Sequence, residues 1–155
     1  MKNRWQLSVG VLLLVAIGLL GSQKALTQDI SEAEKSFQQG RIQFARRNYD
    51  AAIDAFKKTL AENSKHAEAY YYLGLAYTRK GRWSQAVPAF RQAIESRDKG
   101  VYPEAELGLA GCAYFARDFA TAATQCQKAI EQRGQNAPFP SAYNLLGLSH
   151  YQVAE

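Results

Sequence analysis

From about residue 31 onward, apolar positions form short stripes that recur every three or four residues, with polar runs between them. The clearest run is Ala69-Tyr70-Tyr71-Tyr72-Leu73-Gly74-Leu75-Ala76-Tyr77, where Tyr70, Leu73, Gly74 and Tyr77 stand at i, i+3, i+4 and i+7. That spacing places them on one face of a helix. A second stripe, Ala86, Phe90, Ala93 and Ile94, predicts another helix over about 84–96. Gly81 lies between them and suits the left-handed turn that closes a helix. Pro88 is expected early in the second helix, where proline costs least.

This helix pair echoes along the chain. Gly40, Tyr49, Ala52 and Phe56 are answered by Gly74, Trp83, Ala86 and Phe90, each 34 residues later. Trp83, Ala86, Ala93 and Ile94 recur as Phe119, Ala122, Ala129 and Ile130, 36 residues on, and Leu109-Ala110 recurs as Leu146-Gly147, 37 residues on. The extra residues are assigned to loops at Gly100–Tyr102 and around Asn136–Phe139, where Gly and Pro punctuate the chain. A fixed period in the thirties is the mark of a stacked-repeat architecture. Gly40, Gly74, Ala110 and Gly147 are expected where a first helix presses on its partner, and Ala52, Ala86 and Ala122 where the second presses back. Phe56, Phe90 and Cys126 would fill the space beside them.

These residues resemble the tetratricopeptide repeat, a 34-residue unit with a Trp/Tyr-x-x-Leu-Gly-x-x-Tyr helix followed by an Ala-x-x-x-Phe-x-x-Ala helix. Residues 67–100 match through Tyr70, Leu73, Gly74, Tyr77, Ala86, Phe90 and Ala93, with Asp98 where the family carries a late proline. Residues 33–66 keep Gly40, Ala52 and Phe56, but have Ser36, Gln39 and Gln43 at usually apolar sites. Residues 103–136 keep Leu109, Ala110, Ala122 and Ala129, and residues 140–155 supply a first helix alone through Tyr143, Leu146 and Gly147. The resemblance implies an all-α, right-handed superhelix of three repeats plus a final helix over residues 31–155. It also implies a concave groove lined by the first helix of each unit. The groove sites carried over are Phe37, Arg41 and Phe44, then Tyr71, Leu75, Thr78 and Arg79. Units three and four add Leu107, Gly111, Tyr114 and Phe115, then Asn144, Leu148 and Tyr151. Family members that hold the acidic tails of cytosolic chaperones do so with Lys, Asn and Arg. The matching sites here are Phe37, Arg41, Tyr72, Glu104 and Gly108, so only Arg41 would serve and that carboxylate clamp is absent. Glu34, Glu68 and Glu104 recur at one edge of the first helices, where they suit the positive end of the helix dipole or repel acidic peptides.

The first residues differ in kind. Met1-Lys2-Asn3-Arg4-Trp5 is followed by an apolar stretch, Leu7–Leu20, and the 19 residues between Arg4 and Lys24 carry no charge. As a helix that window would span about 28 Å, close to the roughly 30 Å hydrocarbon core. Residues 1–22 are therefore expected to be a signal peptide or an uncleaved membrane anchor, with 23–30 a polar linker. Leu19-Leu20-Gly21-Ser22 resembles a lipoprotein box with Ser in place of the Cys that would carry the lipid. Lys2 and Arg4 before the segment put the N-terminus in the cytoplasm and the repeats outside, in a periplasm, in secreted form or at the cell exterior. Ser31-Glu32-Ala33-Glu34 has capping-box spacing and marks the expected start of the first repeat helix.

Charge and reactive side chains narrow the function. The formal charge of +5 falls to +3 without Lys2 and Arg4, and the basic residues occur as pairs such as Arg46-Arg47 and Lys57-Lys58. Nucleic-acid binding would want a clustered basic stripe. His66 and His150 have no second His or Cys at ligand spacing, so neither a metal nor another cofactor is expected. No catalytic motif stands out, and an enzyme is not expected. Cys112 and Cys126 are expected to face different neighbours as buried, unpaired residues. The expected function is a non-catalytic scaffold that takes a protein or peptide segment into an aromatic groove. The alternative is a self-associating structural module of a cell-envelope assembly, in which the incomplete final helix is the contact between copies.

Overall fold

The computed structural model describes residues 31–97, 100, 102–134 and 139–154. The chain divides into two units, Met1–Ser31 and Glu32–Glu155. The signal or anchor segment and the linker read from the sequence lie outside the described residues. Among the described residues, no helix is long and apolar enough to cross a membrane.

Among the described residues the second unit has seven α-helices: α1 (Glu32–Ala45), α2 (Tyr49–Glu62), α3 (Ala67–Arg79), α4 (Trp83–Glu95), α5 (Pro103–Phe115), α6 (Phe119–Arg133) and α7 (Pro140–Ala154). They pair as hairpins α1–α2, α3–α4 and α5–α6, and α7 lies on α6. Each hairpin packs on the next through α2–α3 and α4–α5. The first helices α1, α3, α5 and α7 also meet one another in sequence, whereas α2, α4 and α6 do not. The odd-numbered helices therefore form a continuous inner layer.

The repeated small residues are what bring the layers together. Ala52, Ala86 and Ala122 are fully buried, as are Phe56, Phe90 and Cys126. A methyl group on Gly40 would stand 2.5 Å from the Phe56 ring, and one on Gly74 would stand 2.7 Å from the Phe90 ring. Phe90 is held from the other side as well, since a methyl on Gly108 of α5 would come within 2.6 Å of it. Each buried ring contributes about 1.5–3 kcal/mol of transfer free energy, and the glycines set how closely the helices approach. Gly147 breaks the series, because a methyl there would meet nothing within 4 Å.

The turn inside each hairpin needs one left-handed residue. Gly81 supplies it in the second unit with φ of 69°. The equivalent positions are Arg47 and Arg117, at φ of 62° and 63°. Asp118 then caps α6 by accepting a hydrogen bond from the Thr121 amide at 3.1 Å. His66 caps α3 in the same way through Nδ1, which accepts from the Ala69 amide at 3.2 Å. Pro88 is the sixth residue of α4, beyond the first turn, and is exposed. Its place is later than the pattern suggested, and with no N–H it cannot donate back to the Ser84 carbonyl.

The recurrent glutamates are latches. Glu68 pairs with Arg97 at 3.7 Å, and Arg97 lies over the Tyr102 ring at 4.3 Å. Glu104 pairs with Arg133 at 2.8 Å, and Arg133 lies over the Phe139 ring at 4.5 Å. In the first unit Glu34 meets His66 at 3.8 Å. Exposed pairs of this kind contribute about 0–1 kcal/mol each. Their position ties the start of a first helix to the end of its partner and to the buried aromatic of the following loop.

Candidate functional site

The inner layer opens into a cleft of about 360 Å³ between α3, the start of α4 and α5. Helix periodicity builds one wall, with Tyr71, Leu75, Thr78 and Arg79 following one another along α3. Leu107, Gly108, Gly111 and Phe115 form the facing wall on α5, where Gly111 leaves open space and Gly108 lies against the Phe90 ring. Trp83 and Phe90 of α4 complete the lining. Trp83 stacks on Phe115 with ring centroids 4.2 Å apart and planes 13° from parallel.

Tyr71 lies 5.1 Å from the Tyr102 ring and 6.0 Å from the Phe90 ring. Burial, with Tyr102 and Glu104 nearby, pushes its hydroxyl up to about 12, so it remains a neutral hydrogen-bonding group. Thr78 is committed to its own helix, its hydroxyl donating to the Leu75 carbonyl at 2.7 Å. Glu104 lines the cleft but is held by Arg133. Arg79 is exposed at the edge, and its guanidinium makes no hydrogen bond or ion pair within the described residues. The free charge of the cleft is therefore positive.

Arg79 also borders a hollow of about 380 Å³ with Phe44, Ala45, Arg47 and Tyr49. Phe44 in turn borders a third hollow with Gln38, Arg41, Ile42 and Tyr72. The three hollows adjoin through these shared residues and together form a track of neighbouring hollows from Arg41 to Phe115. Arg41 lies 5.8 Å over the Tyr72 ring.

Several residues assigned to the groove from the sequence are elsewhere. Phe37 is a correction: at 2 % exposure it belongs to the core, with its ring 4.5 Å from His66, 5.8 Å from Tyr72 and 6.0 Å from Phe56. Tyr114 packs edge-on against Phe115 and Phe119 and does not line the cleft. Asn144, Leu148 and Tyr151 are exposed on α7 and belong to none of these hollows. Tyr71, Leu75, Arg79 and Leu107 are brought together in the cleft, and Arg41 stands at the far end of the track. The sequence pattern missed Trp83 as a lining residue, because its repeat position marks the start of a second helix. It also missed Glu106, which is fully buried on α5 and pairs with Lys128 of α6. Its signal was available: Glu106 stands 36 residues after Tyr70, at a site where the pattern expects an aromatic ring.

Cys112 and Cys126 are both buried and unpaired, and burial pushes each thiol up to about 11. Among the described residues there is no group of three or more His, Cys, Asp or Glu side chains able to hold a metal ion.

The tetratricopeptide repeat family model matches twice, over residues 37–99 and 74–139. The chain belongs to the tetratricopeptide repeat family. Its fold is similar to the tetratricopeptide domain of Sgt2 from Aspergillus fumigatus, at 21% identity over 80% of each chain, with a TM-score of 0.73. It is also similar to the first such domain of Spaghetti (RPAP3), solved with an HSP90 peptide, at 18% identity over 84% of this chain and 99% of that one, with a TM-score of 0.75. MamA is similar at 25% identity over 85% of this chain and 74% of that one, with a TM-score of 0.73. No curated protein matches the chain. Tetratricopeptide repeats are modules of protein–protein interaction, and that coarse function comes with family membership.

Proposed function

We propose that this tetratricopeptide protein is a non-catalytic scaffold that captures a segment of another protein in the track of hollows, with the α3–α5 cleft as its anchor point. The carrying observation is the cleft itself. Tyr71, Leu75, Trp83, Leu107 and Phe115 offer an apolar and aromatic pocket, with Arg79, unpaired among the described residues, at its edge. Aromatic rings and arginine are the side chains that most often anchor interfaces. An apolar or aromatic side chain of the partner fills the cleft, while Arg79 receives a carboxylate or a backbone carbonyl. The sites that would hold a chaperone tail do not favour one. Phe37 is core, Gly108 is closed by Phe90 and Glu104 is held by Arg133.

The location we propose rests on the sequence alone. Lys2 and Arg4 precede an uncharged stretch long enough to cross a bilayer, which would present the repeats outside the cytoplasmic membrane. Crosslinking of the full chain in its native envelope, with the Tyr71→Ala/Arg79→Ala variant alongside, tests both points. Proteins attached to the wild type and lost from the variant would be the groove's partners. Identical capture by the variant would overturn the groove, and recovery of cytosolic proteins only would overturn export.

A further inference from the structure

Two arginines border one hollow without a partner among the described residues. Arg47, in the turn between α1 and α2, and Arg79, the last residue of α3, line the space of about 380 Å³ with Phe44, Ala45 and Tyr49. Both side chains are exposed, and neither makes a hydrogen bond, ion pair or ring contact among the described residues. By contrast, Arg41 lies over the Tyr72 ring and Lys80 pairs with Asp50. No acidic residue lines the hollow, so its two positive charges are unmatched. Arginines near a helix C-terminus often serve the last carbonyls. Here the Gln43, Phe44, Tyr77 and Thr78 carbonyls already accept from backbone amides of the turns that follow. Arg47 also holds its left-handed φ of 62° with no contact to repay it. Arg117 has the same conformation in the third unit, but its guanidinium lies over the Phe119 ring at 5.6 Å. Backbone strain without a structural return points to a role for the side chain.

We propose that this hollow binds the phosphate group of an organic phosphate monoester. Such a group carries a charge of about −1.5 to −2 at pH 7 and three strong acceptor oxygens. Two guanidiniums match that charge, and their planar forks suit paired oxygens. The Tyr49 hydroxyl makes no hydrogen bond among the described residues and adds a further donor. A single carboxylate would leave one of the two positive charges unmatched. The volume leaves room beside the phosphate for the group that carries it, along the Phe44 and Tyr49 rings, whose centroids are 5.6 Å apart. The hollow shares Arg79 with the α3–α5 cleft, but phosphate binding here does not depend on the cleft capturing a protein.

The test titrates the full chain with phenyl phosphate at low salt, followed by isothermal calorimetry. Binding is expected with a Kd on the order of 100 µM. Phenyl sulfate has the same shape with less charge, and inorganic phosphate lacks the ring. Each should bind about fivefold more weakly or worse. Arg47→Gly and Arg79→Gln should each weaken phenyl phosphate about tenfold or more. Glycine relaxes the left-handed turn, so Arg47→Gly should melt no lower than the wild type. Should it melt lower, the exposed Arg79→Gln site carries the test. Arg117→Gly, at the same turn position of the third unit, should bind as the wild type does. Tyr71→Ala alters the cleft and not the hollow, and it should also bind phenyl phosphate normally. Failure of the cleft and failure of the phosphate site are thereby told apart. Unchanged binding in both arginine variants, or no binding up to about 5 mM, would overturn the proposal. So would phenyl sulfate binding as tightly as phenyl phosphate, since the hollow would then be a general anion patch. Inorganic phosphate binding as tightly as the ester would overturn it too, by assigning the hollow to the free ion.

Discussion

Gly74 and Phe90 touch where neither could be larger: a methyl on the glycine would stand 2.7 Å from the ring, and the ring is completely buried. The same substitution should therefore have opposite signs at two positions of one repeat pattern. Gly74→Ala forces the Phe90 ring against Gly108 and should cost about 1–3 kcal/mol. Gly147→Ala meets nothing and should gain up to about 1 kcal/mol from helix propensity. Urea unfolding of the two variants checks this, and equal effects would show that the α7 notch is not open.

Arg47 holds φ of 62° at the turn where the second unit uses Gly81. A left-handed conformation costs an L-residue about 1–2 kcal/mol, and part of that is offset because glycine makes the unfolded chain more flexible. Arg47→Gly should stabilise the fold by about 0.5–1 kcal/mol, read from the urea midpoint. A lower midpoint would mean that the Arg47 side chain supports the turn by contacts that outweigh its backbone strain.

The parts of the fold that repeat were legible, because small residues and rings must recur wherever helices meet at the same distance. Gly40, Ala52 and Phe56 announce their own partners in this way. What the pattern could not separate was groove from core on the inner layer. Phe37 and Arg41 are one helical turn apart, yet the Phe37 ring turns under His66 and Tyr72 while the Arg41 guanidinium stays out over Tyr72. Spacing fixes a direction around one helix, whereas burial depends on the neighbouring helix that arrives later in the chain. Trp83 was invisible as a lining residue for the same reason, since its partner Phe115 lies on a different hairpin.

The two thiols should be silent in the folded protein. Burial raises both to about 11, so thiolate is scarce at neutral pH and reagent access is blocked. Ellman's reagent should titrate neither thiol in native buffer and both in denaturant. One rapidly reacting thiol in the native protein would contradict the packing of Cys112 or Cys126.

Acid should weaken the fold through its helix caps and surface pairs. The Asp118 carboxyl is held below its usual range by hydrogen bonds from the Thr121 side chain and amide, and Asp50 is lowered by Lys80. A depressed folded value means that the stabilisation is present above the unfolded value and is lost as pH falls through the folded one. The decline should therefore begin near about pH 4 and continue below it. Asp118→Asn keeps a capping acceptor but cannot titrate. Its melting temperature should match the wild type at pH 7 and fall less steeply in acid, and parallel curves for the two proteins would refute the assignment.

Phe115 separates binding from folding. Its ring is 60 % exposed, so removing it takes little from the core, and what is lost is the stack on Trp83 and the edge contact with Tyr114. Surface changes of this kind cost about 0.5 kcal/mol, with up to about 1 kcal/mol more for the lost aromatic pair. Phe115→Ala should thus melt close to the wild type. Trp83 would lose the ring that covers one face, and in a Trp5→Phe background, where Trp83 is the sole tryptophan, its emission should move to longer wavelength. If the cleft is the anchor, the same variant should weaken partner capture about tenfold, because the missing ring forms part of its wall. A red-shifted, stably folded Phe115→Ala protein that captures its partners as the wild type does would place the binding surface away from the α3–α5 cleft. Loss of capture together with collapse of the melt would instead make Phe115 a structural residue, against its exposure.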